Sequence, residues 1–130
     1  MKVYTGIDAV DIDRIKKSMK KQNFLTKMMG PDEYAYYESK GFPPESVAAA
    51  FCAKEAFSKA VGTGIRGFSL SEVEVLHDVL GRPYYQFTGK AKQLVDSKHL
   101  RFELSITHTD STAFAVATGV KKRRILWFYI

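Results

Sequence analysis

The chain opens with an apolar stretch over 3–9 that reads as a strand ending in carboxylates, after which the pattern changes period. Ile12, Ile15 and Met19 fall on one stripe of a 3.6-residue repeat, and Arg14, Lys17 and Lys21 fall on another. This predicts a helix over 11–21 whose basic stripe faces solvent or a partner. Gly30-Pro31-Asp32-Glu33 reads as a second helix start, with glycine tolerated as N-cap, proline in the first turn and Glu33 at the capping-box position. That helix is expected to run to about Ser39. Pro43 and Pro44 at an entry, good helix formers from Glu45 onward, no interior proline and Gly62 at the left-handed position past the end predict a long central helix. Residues 72–76 alternate like a half-buried strand, 78–83 turn, and 84–87 return as the hairpin partner. Thr88 or Gly89 starts a helix to about Ser97. Phe102, Leu104 and Ile106 then alternate with polar residues, and 113–120 follow a turn at 109–112, so 101–108 and 113–120 are expected to pair antiparallel. Repeats and low-complexity linkers are absent. The order is α+β, a single small domain with a mainly antiparallel sheet packed by helices.

Length and charge narrow this picture less than the patterning does. At 130 residues the chain is one domain with a modest core, small enough for a subunit interface to supply part of the burial. A formal charge of +6 and a pI near 9.4 point to an anionic partner. Nucleic acid is disfavoured, because no helix-turn-helix, zinc or RNA-recognition signature accompanies the charge. The single Cys52 excludes an intramolecular disulfide, and with no secretory or membrane-spanning segment a reducing cytoplasm is expected. Cys52, among apolar neighbours, reads as a small packed hydrophobe, and His77 and His99 read as structural.

The chemistry concentrates in the central helix, where Glu55 and Lys59 share a face one turn apart before the chain opens into Gly62-Thr63-Gly64. Alone, such a pair is a surface ion pair worth a few tenths of a kcal/mol. Four further blocks accompany it: Gly6-Ile7-Asp8 near the start, Gly62 to Gly64, Gly81-Arg82-Pro83, and Ser105-Ile106-Thr107-His108-Thr109. With Ala53 to Ala60, these five blocks in this order resemble the holo-acyl-carrier-protein synthases, the small 4′-phosphopantetheinyl transferases of lipid synthesis. The resemblance covers roughly residues 3 to 120. It implies the fold of that family and transfer of the phosphopantetheine arm of coenzyme A to a serine of apo-acyl carrier protein, with release of adenosine 3′,5′-bisphosphate.

Residue by residue, the resemblance makes Asp8 and Glu55 the ligands of Mg2+, a hard cation that needs only one or two protein carboxylates beside waters and phosphate oxygens. Spacing alone does not separate Asp8 from Asp11 and Asp13. Lys59 is placed beside the diphosphate to offset developing charge. Gly62, Thr63, Gly64, Arg82, Pro83, His108 and Thr109 are implied coenzyme A contacts, although a glycine after a helix is also an ordinary C-cap. The proton acceptor stays open among a metal-ordered water, Glu55 and a group on the carrier. Arg14, Lys17 and Lys21 are expected to dock the acidic carrier protein, and a homotrimer with sites between subunits is implied. Three departures stand out. Ala50 occupies the position of an arginine that reaches the 3′-phosphate, leaving Lys54 or a base from another subunit to replace it. Lys27 and Gly30 stand where arginine and threonine are common. A basic-aromatic extension, 121–130, exceeds the usual family end, so the transferase domain is expected over 1–120. The alternative class, a non-catalytic basic adaptor for an acidic protein or nucleic acid, accounts for the charge but leaves the five blocks unexplained.

Overall fold

The structure, a computed structural model, describes residues 1–63 and 67–122; Gly64 and residues 123–130 of the extension lie outside the described residues. In chain order the elements are β1 (Val3–Asp11), α1 (Ile12–Ser18), α2 (Phe24–Met28), α3 (Pro31–Ser39), α4 (Pro44–Val61), a 3₁₀ turn (Leu70–Glu72), β2 (Val73–His77), β3 (Pro83–Phe87), α5 (Gly89–Ser97), β4 (Leu100–His108) and β5 (Thr112–Lys121). The expected α+β architecture is present. β5 lies between β1 and β4 in an antiparallel sheet, and β2 and β3 form a separate hairpin.

Helix α4 is the axis of the molecule. Its entry prolines and its exit at Gly62, with φ 79°, bound an unbroken helix. Val47, Ala48, Ala53, Ala56, Phe57 and Ala60 are all buried. The sheet meets α4 through small residues: Ala113, Ala115 and Ala117 of β5 are buried, and β1 presents Gly6. A Cβ added at Gly6 would fall 1.9 Å from the Ala56 carbonyl oxygen and 2.6 Å from the Ala60 nitrogen. Strand and helix backbones therefore touch directly, a closeness that glycine alone permits. A second apolar cluster around Phe57 joins Phe68, Val73, Val95 and Leu100.

The structure departs from the sequence reading in three local places. Helix α1 ends at Ser18, so Lys21 lies beyond it. Asp11, the last residue of β1, caps α1 by accepting from the Asp13 amide at 3.0 Å. Residues 24–28 form α2, which is too short to show a period and follows Asn23 in a left-handed conformation, φ 67°. At α3, Glu33 accepts from the Gly30 amide at 3.2 Å as a capping box requires, but glycine has no side chain to return the bond. Glu74 of β2 returns it, its Oε1 accepting from the Glu33 amide at 2.8 Å. Its carboxyl fills the space where a Gly30 Cβ would lie, 2.6 Å away.

The opposite face of the sheet is uncovered. Val3, Ile7 and Phe114 are exposed there, and apolar hollows lie between Ile7, Phe114 and Val116. No helix among the described residues is long and apolar enough to cross a membrane.

Candidate active site

Strand alternation places Tyr4, Gly6, Asp8 and Val10 on the face of β1 toward α4. Gly6 brings the strand onto the helix, and two residues later Asp8 meets the helix face that carries Glu55 and Lys59. The Lys59 ammonium donates to Asp8 Oδ1 at 2.8 Å and to the Ile7 carbonyl at 3.1 Å. Asp8 is largely shielded, with 14% of its side chain exposed, whereas Lys59 is 55% exposed. The hydrogen bond to Asp8, then its charge, raises the Lys59 pKa. Burial, then the charge of Asp8, raises the Glu55 carboxyl, while Lys59 and Arg14 pull it down. One acid, Glu55, is thus held against another, Asp8, with a cation at the rim.

The neighbouring acids have other work. Asp11 caps α1, and Asp13 pairs with Lys17 at 3.1 Å. The structure thereby separates Asp8 from the two carboxylates that sequence spacing left equivalent. Cys52, one turn before Glu55, is buried with its thiol directed to the Ala113 carbonyl at 3.5 Å. Burial and the nearby Asp8 push that thiol up to about 12, so it stays protonated and inert at neutral pH.

The remaining candidates fall into separate places. Gly62 closes α4, its amide donating to the Lys59 carbonyl at 3.1 Å, and Thr63 follows it. Arg82 immediately precedes β3, which Pro83 begins, and its guanidinium donates to Glu103 of β4 at 3.1 Å. Arg82 and Pro83 line a hollow of about 380 Å³ with Glu103, Ser105 and Thr118. His108 ends β4 with Nδ1 3.0 Å from the Thr109 carbonyl, and the Thr109 hydroxyl accepts from the Thr112 amide at 3.0 Å. Arg82 and His108 thus belong to the β4 edge, and Asp8 to the β1 edge. With β5 between them, two strand spacings of about 4.8 Å each separate these edges. Arg14, Lys17 and Lys21 do converge, around a hollow of about 390 Å³ shared with Asp11, Asp13 and Ser18.

Two expectations about phosphate contacts change. Ala50 is fully buried, a core position in this chain. Lys54 cannot substitute for an arginine there, because its side chain is entirely enclosed, donating to Glu33 at 2.7 Å and to the carbonyls of Leu70 and Val73 at 3.0 and 2.6 Å. An ammonium already holding three acceptors has no donor left for a ligand. The local sequence signals this only faintly. Lys54 sits in an apolar run, and that is the only hint.

Among the described residues no cluster of three or more His, Cys, Asp or Glu side chains could cage a metal. Asp8 and Glu55 nevertheless form a suitable incomplete set. Burial first, and then the charge of Asp8, disfavours the Glu55 carboxylate, and a hard dication would offset both, with waters and phosphate oxygens as the remaining ligands.

Residues 4–119 match the model of the 4′-phosphopantetheinyl transferase superfamily. The holo-[acyl-carrier-protein] synthase of Clostridium beijerinckii is 39% identical over 113 residues, 86% of this chain and 92% of the relative. That of Alkaliphilus oremlandii is 40% identical over 117 residues, 88% and 96% of the two chains. Among solved structures, the holo-[acyl-carrier-protein] synthase of Neisseria meningitidis superposes with a TM-score of 0.85 at 32% identity, covering 92% of this chain and all of the other. That of Helicobacter pylori, in complex with coenzyme A, gives 0.75 at 31% identity, covering 87% and 96%.

Proposed function

The chain belongs to the 4′-phosphopantetheinyl transferase superfamily, and from that premise we propose that it transfers the phosphopantetheine arm of coenzyme A to a serine of apo-acyl carrier protein. The observation that carries this reading is the convergence of Asp8, Glu55 and Lys59 on one point of the sheet–helix seam. The carrier serine hydroxyl gives up its proton, ultimately to solvent, as its oxygen attacks the β-phosphorus; a new P–O bond forms, and the bond from that phosphorus to the bridging oxygen breaks to release adenosine 3′,5′-bisphosphate. Asp8 and Glu55 would hold Mg2+, which when bound supplies charge neutralisation across the diphosphate. Lys59, exposed enough to be reached, directs its ammonium at a phosphate oxygen and stabilises charge as it shifts to the leaving group. Asp8 fixes that ammonium in place beforehand.

The complete site is read as lying between subunits. Arg82, Pro83, His108 and Thr109 of one copy stand at the β4 edge, and Asp8, Glu55 and Lys59 of another at the β1 edge. The uncovered Ile7–Phe114 face supplies the apolar surface on which three copies would associate. Arg14, Lys17 and Lys21 offer the acidic carrier a basic hollow beside Glu55. The compartment is the reducing cytoplasm, consistent with a single buried thiol.

Mass spectrometry of apo-carrier protein incubated with enzyme, coenzyme A and Mg2+ tests the reading. One phosphopantetheine should be added per carrier, and chelation should stop it. Asp8→Ala and Glu55→Ala should each lower turnover about 100-fold or more with the fold intact. Near-parental turnover of both variants rejects the assignment. With Ala50 buried and Lys54 enclosed, coenzyme A and its 3′-dephospho analogue should differ by less than about tenfold in kcat/KM, a strong charge-assisted contact being absent.

A further inference from the structure

We propose that Lys54 is a positioning residue for the transfer reaction, its buried ammonium locking α4 in the one rotation that presents Glu55 and Lys59 to Asp8. The inference rests on the transferase reading for its kinetic consequence, while the clamp itself is geometric.

Of four consecutive residues of α4, Ala53, Lys54 and Ala56 are held by contacts to other elements, and Glu55 stands among them facing β1. The Ala53 carbonyl accepts from the Tyr85 hydroxyl of β3 at 2.5 Å. The Lys54 ammonium reaches Glu33 of α3, Leu70 of the 3₁₀ turn and Val73 of β2. Glu55 turns to Asp8, and the Ala56 carbonyl lies against the Gly6 backbone. A single helical turn therefore carries the clamps to both layers and the reactive carboxylate between them. The acceptors are themselves held. Glu33 also accepts from the amides of Gly30 and Val75, and Glu74 braces Glu33 while accepting from Gln86 at 2.9 Å.

Packing alone does not call for this arrangement. The neighbours of Lys54 on the helix, Cys52, Ala53, Ala56 and Phe57, are buried and apolar, so an apolar chain of similar length would fill the site. A buried ion pair adds little net stability over such a replacement. What the ammonium adds is direction, since three N–H groups aimed at three fixed acceptors define both the rotation and the axial position of the helix. The magnitude matters. Side chains reach about 5–6 Å from a helix axis, so a 10° rotation carries Glu55 through about 1 Å. A misplacement of that size can cost about 100-fold in rate.

The test uses Lys54→Met/Glu33→Gln, because Lys54→Met alone would leave the Glu33 carboxylate buried without its cation and confound folding with function. Glu33→Gln leaves one acceptor oxygen for the Gly30 and Val75 amides, so the double variant is expected to melt several degrees below the parent, and its kinetics are read well below its own Tm. Its kcat should fall about tenfold or more, with the KM values for coenzyme A and carrier changed less than about threefold. Its crystal structure, solved without substrate, should show α4 turned and the 2.8 Å Lys59–Asp8 contact opened. A parental kcat, or an unchanged Lys59–Asp8 contact, overturns the proposal. If the parent itself transfers nothing, the transferase reading fails, and the substrate-free structure still decides whether Lys54 sets the rotation. Glu33→Gln alone keeps the lysine on its two carbonyls and, assayed below its own Tm with the fold verified by circular dichroism, should retain most of the parental kcat, whereas a loss as large as the double variant's in that folded protein would assign the effect to Glu33 and overturn the role of Lys54.

Discussion

At Gly6 the space available to one carbon atom sets the distance from Asp8 to α4. Gly6→Ala would drive its Cβ into the helix backbone, which has no flexible end to move aside, so β1 must retreat. We expect a loss of about 1–3 kcal/mol in urea unfolding and a fall in kcat of tenfold or more as Asp8 leaves Lys59. Glu55 gives the opposite combination. Burial and Asp8 raise its carboxyl, so the folded chain binds that proton more tightly than the unfolded chain. The resulting stability is fully present below the ordinary carboxylate range and is lost as pH rises through the raised folded value. At pH 7 without divalent cation, Glu55→Gln should therefore raise Tm, by about 1–4 °C for a chain of this size, while abolishing transfer. The gain should vanish near pH 4, where the parent carboxyl is itself protonated, and thermal unfolding at the two pH values checks this.

Among the elements, α3 shows how a cap can be built from distant sequence. Glu74 occupies the place of the side chain that Gly30 lacks, so the two positions should be coupled. Gly30→Ser should clash with Glu74 and destabilise the parent, and Glu74→Ala should uncap the helix. The double variant, with a serine hydroxyl free to cap, should be more stable than the sum of the singles by about 1–2 kcal/mol in denaturant unfolding. The start of α3 was legible from Gly30, Pro31 and Glu33, but its capping partner stands forty-one positions beyond Glu33 and leaves no local trace. The same contrast recurs elsewhere. Helix α4 announces itself through its prolines and Gly62, and β4 and β5 through alternation, because those signals lie within the element. The five residues of α2 carry too little period to be read. Asp8, Glu55 and Lys59 were legible only through the spacing of whole motifs. Lys54 was read as accessible because its acceptors come from α3 and from the segment leading into β2, which no periodicity of α4 reports.

For the whole molecule, the proposed trimer, argued from the uncovered sheet face and the division of candidate residues between two edges, predicts that activity requires assembly. Ile7→Glu/Phe114→Glu should sediment as monomer and lose transfer, although both side chains are exposed on the sheet face opposite Asp8. Mixing two inactive variants is more discriminating. Lys59→Ala and His108→Ala protomers, co-folded in equal amounts, should recover about a quarter of parental activity, the share of interfaces in a closed ring that pair two intact halves. Recovery of none would place both residues in one chain's site. The sheet order has a further consequence, for synthesis. Among the described residues β1 takes its only strand partner from β5, the last strand in chain order, so Asp8 is translated more than one hundred positions before that pairing can form. At about 5–20 residues per second that interval is roughly 5–20 s, and in its second half, after Val61, the nascent chain carries Glu55 and Lys59 on α4 but has no sheet to hold Asp8 against them. On the proposed assignment of Asp8, the nascent chain is expected to stay inactive until β5 is made and can pair with β1. A chain stalled before Thr112 would expose β1 to other partners in the cell, without the ability to modify a carrier.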